Sequence, residues 1–341
     1  MDHEKVAIII PYFGTLPNYF DLWLESVREN EFINVFFFSN NNKPINCPSN
    51  IHWKRTSFCD VKKKIQSLFD FSIVLDTPYK LVDYKPTYGI VFEKYIENYE
   101  WWGWGDIDTI WGNLSLIINE NTLKKYDKIL DLGHLTLMKN NYKMKNLWKE
   151  KVLGAWTYED AFKSNMIYHF DEGGGLAFIA QKAKYKVYSE KPNEMNFADI
   201  LPYKCDFELA YNQKEKNIPH IFTWKNGILI GYWIQNNKMY SKEYAYIHLQ
   251  KRRMELQLKS KKYNQGFIII PNRFIPYDKK ITTNLILKFQ NNQGLTNPTK
   301  KISFASFLNY LEYTKFKLKS KKRHIPINGN EVYFKIEKPK Y

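Results

Sequence analysis

The apolar residues near the N-terminus form two uninterrupted runs separated by a segment with helical spacing. Val6 to Tyr12 (VAIIIPY) and Asn34 to Phe38 (NVFFF) are apolar almost throughout, which is typical of strands covered on both faces. Between them, Phe20, Leu24 and Val27 recur at the spacing of one helix face. Strands that alternate with helices from the beginning of the chain predict an α/β fold with parallel strands.

The rest of the pattern continues this alternation and adds extended segments in the second half of the chain. A third strand is indicated in IHWKRTSF, and Asn226-Gly227 marks the turn of a hairpin. The further expected elements are helices at Val61 to Phe71 and Ile90 to Tyr99, a strand through the acids of Trp101 to Asn113, a strand pair or extended stretch at Tyr126 to Met138, a loop that opens a helix at His169 to Ala183, the hairpin at Ile221 to Ile234, and short strands in YAYIHL and GFIIIP.

Composition indicates a packed globular protein. The 341 residues suffice for one large or two ordinary domains, and 44% hydrophobic and 17% aromatic residues argue against disorder. Cys47, Cys59 and Cys205 lie far apart, so neither a disulfide framework nor a zinc site is indicated, and a reducing compartment is expected. The first apolar run is short and no run reaches about 18 apolar residues, so we expect no signal peptide and no transmembrane helix.

The net charge of +16 calls for a partner or another reason, and the candidate partners are nucleic acid, a nucleotide-activated substrate and an anionic membrane face. The basic residues are concentrated late, with KFKLKSKKR at Lys315 to Arg323. This segment is either a basic amphipathic helix that lies on an anionic membrane, or a solvated lysine-rich face.

Two acids stand in the most aromatic part of the chain, the segment WWGWGDIDTIWGN. On an extended backbone Asp106 and Asp108 would point to the same side, where two carboxylates repel each other and are costly to bury. A divalent cation, Mg²⁺ or Mn²⁺, removes both costs because it binds carboxylate oxygens. The alternative is a solvated strand end, which the apolar and glycine-rich surroundings disfavour.

Several of these segments together resemble bacterial GT-A-type glycosyltransferases, in particular uncharacterised enzymes of capsule and surface-polysaccharide biosynthesis. The resemblance rests on VAIIIPYF, YKLVDYKPTYG and W-G-D-I-D-x-I-x-G, and it covers about residues 5 to 275. It implies a Rossmann-like mixed sheet flanked by helices. The implied organisation is a GT-A-like catalytic domain over 1–275, with a nucleotide-sugar half (1–113) and an acceptor half (114–275), followed by a basic extension over 276–341.

The resemblance also implies a metal centre. Asp106 and Asp108 would bind Mn²⁺ or Mg²⁺ on the diphosphate of a sugar nucleotide, with Asp106 also near the ribose. In YAYIHLQKRR, His248 stands where a further metal ligand is expected, and Lys251 where a contact to the diphosphate is expected. Imidazole suits Mn²⁺ and an ammonium group suits phosphate. The alternative is a strand-end histidine before a solvated basic run.

Two further motifs supply the remaining charged groups of the implied site. In YKLVDYKPTY, Lys80, Asp83 and Lys85 are expected to contact the nucleotide or the donor sugar. In HFDEGGG, Asp171 and Glu172 are the expected catalytic acids. Such an acid would be a general base in an inverting enzyme and would orient the sugar in a retaining one. The alternative is a pair of helix N-terminal acids stabilised by the helix dipole.

Three ring side chains complete the expected donor site. His134 belongs to the strand that faces the donor sugar in the resembled fold, and Tyr12 or Phe13 could stack on uracil. Packing within the core is the alternative for each of them.

We therefore expect a metal-dependent glycosyltransferase that moves a sugar from a UDP-linked donor to a hydroxyl of a bacterial surface glycan or lipid-linked oligosaccharide. The YKLVDYKP block favours retention of the anomeric configuration. The expected location is the cytoplasm, including the inner face of the membrane. The alternatives are a nucleic-acid-binding protein, although no nucleic-acid module is visible, and a different sugar-nucleotide enzyme such as a phosphosugar transferase.

Overall fold

The computed structural model describes residues 6–191, 194–202, 204–211, 217–258, 263–277, 280–290 and 316–325. In chain order the strands are β1 Val6–Tyr12, β2 Ile33–Ser39, β3 Ile51–Arg55, β4 Trp101–Gly105, β5 Thr109–Trp111, β6 Lys128–Leu132, β7 Leu135–Lys139, β8 Val187–Tyr188, β9 Phe197–Asp199, β10 Ile221–Lys225, β11 Ile228–Gln235, β12 Lys238–Tyr244, β13 Tyr246–His248, β14 Glu255–Leu256, β15 Phe267–Ile270 and β16 Arg273–Pro276.

The helices are short, and none within the described ranges is long and apolar enough to cross a bilayer. They are α1 Phe20–Arg28, α2 Phe58–Gln66, α3 Leu81–Tyr84, α4 Tyr88–Val91, α5 Glu93–Ile96, α6 Glu120–Lys125, α7 Tyr142–Asn146, α8 Tyr158–Phe162, α9 Phe178–Lys182 and α10 Thr283–Gln290, followed by a C-terminal helix over residues 316–323. Single turns of 3₁₀-helix and a π-helical segment, Gly173–Ala177, lie between them.

A seven-stranded mixed sheet with the order β3-β2-β1-β4-β7-β6-β8 carries the N-terminal part of the protein. Its first four strands are parallel to one another, whereas β7 is antiparallel to both neighbours. Along β1, Ala7 and Ile9 belong to one core and Val6 and Ile8 to another. The sheet is therefore covered on both faces, and the predicted α/β class with parallel strands is confirmed.

Two smaller sheets follow. β5, β13 and β9 form a three-stranded sheet with β13 in the centre, antiparallel to β5 and parallel to β9. The other sheet has six strands in the order β12-β11-β10-β15-β16-β14. Its β10–β11 hairpin turns at Asn226 and Gly227, whose φ angles of 49° and 74° are those of a two-residue hairpin loop, as predicted.

Some predicted elements have other boundaries in the structure. The acid-bearing segment was wrongly predicted as one strand, because β4 ends at Gly105 and β5 begins at Thr109 in a different sheet. The Thr109 hydroxyl bonds the carbonyl oxygen of Asp106 at 2.7 Å and stabilises the bend between the two strands. The strand pair at Tyr126 to Met138 is confirmed as β6 and β7.

Two predicted helices also differ. The helix expected at Val61 to Phe71 begins earlier, at Phe58, because Ser57 forms a capping box with Asp60. The helix expected at Ile90 to Tyr99 is replaced by the short α4 and α5.

The described part of the basic C-terminal segment contains a helix over residues 316–323 that packs against the rest of the protein. The ring of Phe316 stacks on Trp156 with centroids 4.8 Å apart, and Ile325 is buried in the core beneath. Lys315 lies outside the described residues. This helix is therefore an integral part of the fold.

β4 and β7 pair so closely that a side chain at Gly103 has no room. A Cβ atom there would lie 2.0 Å from the carbonyl oxygen of Thr136 and 2.7 Å from Cδ2 of Leu137. The strands must separate to admit a methyl group. We expect Gly103→Ala to lower the free energy of unfolding, measured in urea, by about 2–4 kcal/mol.

Gly105→Ala is the matched control in the same strand, because the atom nearest to its Cβ would be 3.5 Å away. It should change the free energy of unfolding by less than about 1 kcal/mol. Equal losses in the two variants would contradict the close approach of β4 and β7.

Asp160 joins α8 to the C-terminal helix. Its carboxylate accepts the Thr157 N–H at 3.0 Å and pairs with Lys319 at 2.9 Å and Arg323 at 2.5 Å. Burial alone would raise the pKa of Asp160, but these contacts outweigh it and lower the pKa to about 2. The resulting stabilisation is present above the usual aspartate pKa of 3.8 and is lost as the pH falls towards 2.

The shift corresponds to about 2 kcal/mol. We expect the difference in unfolding free energy between wild type and Asp160→Asn to shrink by about that amount between pH 5 and pH 2, as measured by urea denaturation. A difference that stays constant over this range would contradict the proposed role of the carboxylate.

Candidate metal and donor site

The three-stranded sheet brings together acids and a histidine that are far apart in the sequence. In β13, His248 lies opposite Thr109 of β5 on one side and Asp199 of β9 on the other. Asp108 immediately precedes Thr109, so its carboxylate reaches the same end of the sheet. Strand pairing therefore assembles this group of side chains.

Asp108 is held by a tight turn that follows β13. Its carbonyl oxygen accepts the Leu249 N–H at 2.7 Å, and its Oδ2 accepts the Lys251 N–H at 2.6 Å, across 143 residues. Gln250 and Lys251 have φ angles of 55° and 54°, which non-glycine residues adopt rarely and mostly where the surrounding structure enforces it. The bond from the Arg252 N–H to the Leu249 carbonyl oxygen, 2.9 Å, closes the turn.

His248 is oriented by two carboxylates. Its Nδ1 donates to Asp199 Oδ1 at 2.9 Å, and its Nε2 lies 3.5 Å from Asp108 Oδ2. A carboxylate on one ring nitrogen directs the other nitrogen towards a metal in many protein sites. Burial would lower the pKa of His248, but Asp108 and Asp199 outweigh it and raise the pKa to about 10. A proton and a cation therefore compete for the same position.

Asp106 stands beside this group and is paired with Lys85. The Lys85 ammonium lies 2.9 Å from Asp106 Oδ1 and 3.5 Å from Asp171 Oδ2, and it donates to the Gly133 carbonyl oxygen at 2.9 Å. Burial lowers the pKa of Lys85, but the two carboxylates outweigh it and hold the pKa above its usual range. The Asp106 side chain is 30% exposed, so this is the part of the site that solvent reaches.

The carboxyl groups of Asp171 and Glu172 both lie against Gly133. Glu172 accepts the Gly133 N–H at 2.6 Å. Asp171 is 1% exposed, neither of its oxygens accepts a hydrogen bond from the described residues, and burial raises its pKa well above the usual value. A Cβ on Gly133 would lie 2.3 Å from Glu172 Oε1 and 2.6 Å from Asp171 Oδ2, so only glycine permits this approach.

His134 lies inside the site. Its ring centroid is 4.4 Å from that of His248, and neither of its nitrogens has a hydrogen-bond partner within the described ranges. Burial and the neighbouring His248 lower the pKa of His134 to about 3, so the ring is neutral at pH 7. It can accept or donate one hydrogen bond to a ligand.

Lys80 and Asp83 are buried behind the site and bonded to each other at 2.6 Å. Both oxygens of Asp83 accept backbone N–H groups, from Tyr168 and Phe170. The pair therefore holds the loop that leads into Asp171. The contacts of Lys80 and Asp83 are with other residues of the protein, whereas contacts with the donor were predicted.

The remaining predicted donor residues lie around the same sheet edge. Ile9 of β1 is opposite Trp104 of β4 in a parallel pair, so Tyr12 and Phe13 follow at the end where Asp106 emerges. The ammonium group of Lys251 lies over the ring of Tyr79, 3.9 Å from its centroid.

The described residues offer three groups that could hold a cation: Asp106, Asp108 and His248; His134, Asp199 and His248; and His169, Asp171 and Glu172. The first group fits best. Among the described residues, Asp108 Oδ1 is buried without a hydrogen-bond partner, which is the state of an oxygen available to a metal. In the second group, Asp199 already bonds His248 and Gln250.

Sequence reasoning missed Asp199, Gly133 and the turn that holds Asp108. Asp199 interrupts a short apolar run, FADI, and lies 49 residues before His248, so no local motif connects them. An acid within a short apolar run was the available signal. The glycine and the turn act through their backbones, which the sequence does not reveal.

Lys85 is the cationic neighbour of the partly exposed Asp106 and of the buried Asp171, and removing its charge leaves both without a counter-ion. We expect Lys85→Met to lower the free energy of unfolding by about 3–5 kcal/mol in urea denaturation. Adding Asp171→Asn should recover at least about 1 kcal/mol, because asparagine removes the cost of burying this carboxylate or of protonating it, which its raised pKa reflects.

The control for this cycle is Lys62→Met, in the surface pair with Asp76 at 3.2 Å, which should cost less than about 1 kcal/mol. If Lys85→Met were equally mild, or if Asp171→Asn gave no recovery, the electrostatic coupling inferred for the site would be wrong.

The whole of this site lies within one sequence family. The profile of DUF6625, described as a family of unknown function, matches residues 8–278. No curated protein and no solved structure matches the chain. Since the matched range covers well over half of the 341 residues, the chain belongs to the DUF6625 family.

Proposed function

We propose that the protein is a metal-dependent glycosyltransferase of GT-A type that uses a sugar nucleotide. One observation carries the proposal: Asp106, Asp108 and His248 place ligand atoms within 4.8 Å of one another beside the end of parallel β4. In open α/β sheets, ligands bind outside the carboxyl ends of the strands. Two carboxylates and an imidazole at that edge suit a cation bound to a diphosphate.

Asp106, Asp108 and His248 would hold Mn²⁺ or Mg²⁺. When bound, such a cation neutralises the charge that develops on a departing diphosphate. Asp199 keeps the His248 ring in the orientation that presents Nε2, through the 2.9 Å bond to Nδ1. The turn at Leu249 to Arg252 keeps the Asp108 carboxylate in place through the Lys251 N–H.

The donor is proposed to lie along the same edge, with UDP as the expected nucleotide. Tyr12 and Phe13 follow β1 where the base would stack, and the exposed Lys251 supplies an ammonium group for the diphosphate. Lys80 and Asp83 are better explained as positioning residues than as donor contacts, because they are buried and bonded to the protein.

In the reaction, the bond between C1 of the sugar and the diphosphate oxygen breaks, and a bond forms between C1 and the acceptor oxygen. The nucleoside diphosphate leaves with the electron pair of the broken bond. With retention, which the YKLVDYKP likeness favours, the acceptor proton passes to the departing diphosphate, and Asp171, Glu172 and His134 orient the sugar. With inversion, the half-buried Glu172 is better placed than Asp171 to take that proton.

The proposed acceptor is a hydroxyl of a bacterial surface glycan or lipid-linked oligosaccharide, and the proposed location is the cytoplasm. A phosphosugar transferase would share the cation and the nucleotide, but it would release a nucleoside monophosphate. The nucleotide product therefore distinguishes the two enzymes.

We expect purified protein with Mn²⁺ and a panel of sugar nucleotides to release nucleoside diphosphate, as detected by chromatography. Asp108→Asn should lower that rate by roughly a hundredfold or more, because it removes a charged ligand of the cation. Circular dichroism should show that the variant remains folded.

Asp70→Asn, an exposed aspartate outside the site, serves as the control and should keep the wild-type rate. Unchanged turnover in Asp108→Asn, or no turnover of any donor by the wild type, would refute the proposal. Release of nucleoside monophosphate would favour the phosphosugar transferase. NMR assignment of the product linkage decides between retention and inversion.

A further inference from the structure

The C-terminal helix over residues 316–323 has two distinct faces. Phe316, Ser320 and Arg323, at the spacing of one helix face, turn towards the protein: Phe316 stacks on Trp156, Ser320 is buried, and Arg323 pairs with Asp160. The opposite face is therefore directed to solvent.

That outer face combines an apolar side chain with basic ones. Leu318 is 63% exposed, although leucine is normally buried, and it is flanked on the helix by the exposed Lys321 and Lys322. Lys319 pairs with Asp160 at 2.9 Å, so this lysine compensates an acid of the protein, whereas Lys321 and Lys322 form no ion pair among the described residues. The outer face consequently carries positive charge around an exposed leucine.

A second exposed leucine lies beside this helix. Leu153 is 95% exposed. The next residue, Gly154, lies against the end of the helix, since a Cβ there would be in van der Waals contact with the carbonyl oxygen of His324, at 3.4 Å. The Ala155 carbonyl oxygen accepts a bond from Arg323 at 3.3 Å. The loop and the helix are therefore joined, and both present a leucine to solvent.

We propose that this region docks on an anionic lipid bilayer, through a membrane-docking surface defined as Leu153, Leu318, Lys321 and Lys322. Leucines inserted at the headgroup boundary bury apolar area, and flanking lysines attract anionic lipids. The net charge of +16 adds a long-range attraction to such a membrane. Nucleic acid would use the lysines but offers no apolar layer for the leucines.

This proposal goes beyond the proposed function and does not depend on it. It does relate the membrane to the candidate site. Phe316 contacts Trp156 and Tyr168, and these residues precede Asp171 in the chain. A bilayer bound by the outer face of this helix would therefore be separated from Asp171 by the helix and by this segment.

The test is co-sedimentation of the full chain with vesicles of phosphatidylcholine containing about one third phosphatidylglycerol, and with phosphatidylcholine alone. We expect binding to the anionic vesicles only, weakened by salt. Leu153→Ser with Leu318→Ser should reduce partitioning by roughly tenfold, and so should Lys321→Glu with Lys322→Glu.

Matched controls separate this surface from the general positive charge. Lys63→Glu with Lys64→Glu changes two adjacent exposed lysines on α2, and Ile45→Ser with Met239→Ser removes two exposed apolar side chains elsewhere. Both controls should keep most of the binding. The proposal would be overturned by equal losses of vesicle binding in control and test variants, by equal binding to neutral vesicles, or by no vesicle binding at low salt. A chain that binds RNA but not anionic vesicles would overturn it as well.

Discussion

The junction between Asp108 and the turn after β13 is the contact on which the candidate site depends. β4 belongs to the seven-stranded sheet and β13 to the three-stranded sheet. The two hydrogen bonds from Leu249 and Lys251 to Asp108 join the bend that follows β4 to the turn that follows β13. The same junction places the Asp108 carboxylate 3.5 Å from His248. The candidate site is therefore complete only when the turn after β13 is in place against Asp108.

Charge balance is the second constraint on the site. Asp106 and Asp171 share the ammonium group of Lys85, and Asp108 and Asp199 share the imidazole of His248. Four carboxylates can lie close together because each has a cationic neighbour. These four carboxylates outnumber the two cationic groups, Lys85 and His248. A divalent cation at Asp106 and Asp108 would add positive charge at this position, in keeping with the proposed binding of a diphosphate.

The sequence was most informative where one local pattern determines the structure. The apolar run of β1 predicted a strand buried on both faces, and Asn226-Gly227 predicted a hairpin turn, because each signal depends on adjacent residues. The bend between Asp106 and Asp108 was not predictable in this way. It arises because β4 and β5 belong to different sheets. The strands with which they pair, β1 and β7 for β4 and β13 for β5, lie elsewhere in the chain.

The candidate site shows the same limit. Asp106, Asp108 and His248 were predicted as one group, and the structure brings them together. Asp199 was missed because only the parallel pairing of β9 with β13 places it against His248. Lys80 and Asp83 carry the residue types of a ligand site, but burial directs them to the backbone of Tyr168 and Phe170. Residue type alone does not separate a binding role from a supporting one.

The most direct test of the account is anomalous X-ray scattering from crystals grown with MnCl₂ and UDP. We expect an anomalous peak within coordination distance of Asp108 and His248, with the diphosphate of UDP against it. A peak at His169, Asp171 and Glu172 instead, or no peak while UDP is bound, would contradict a cation held by Asp106, Asp108 and His248.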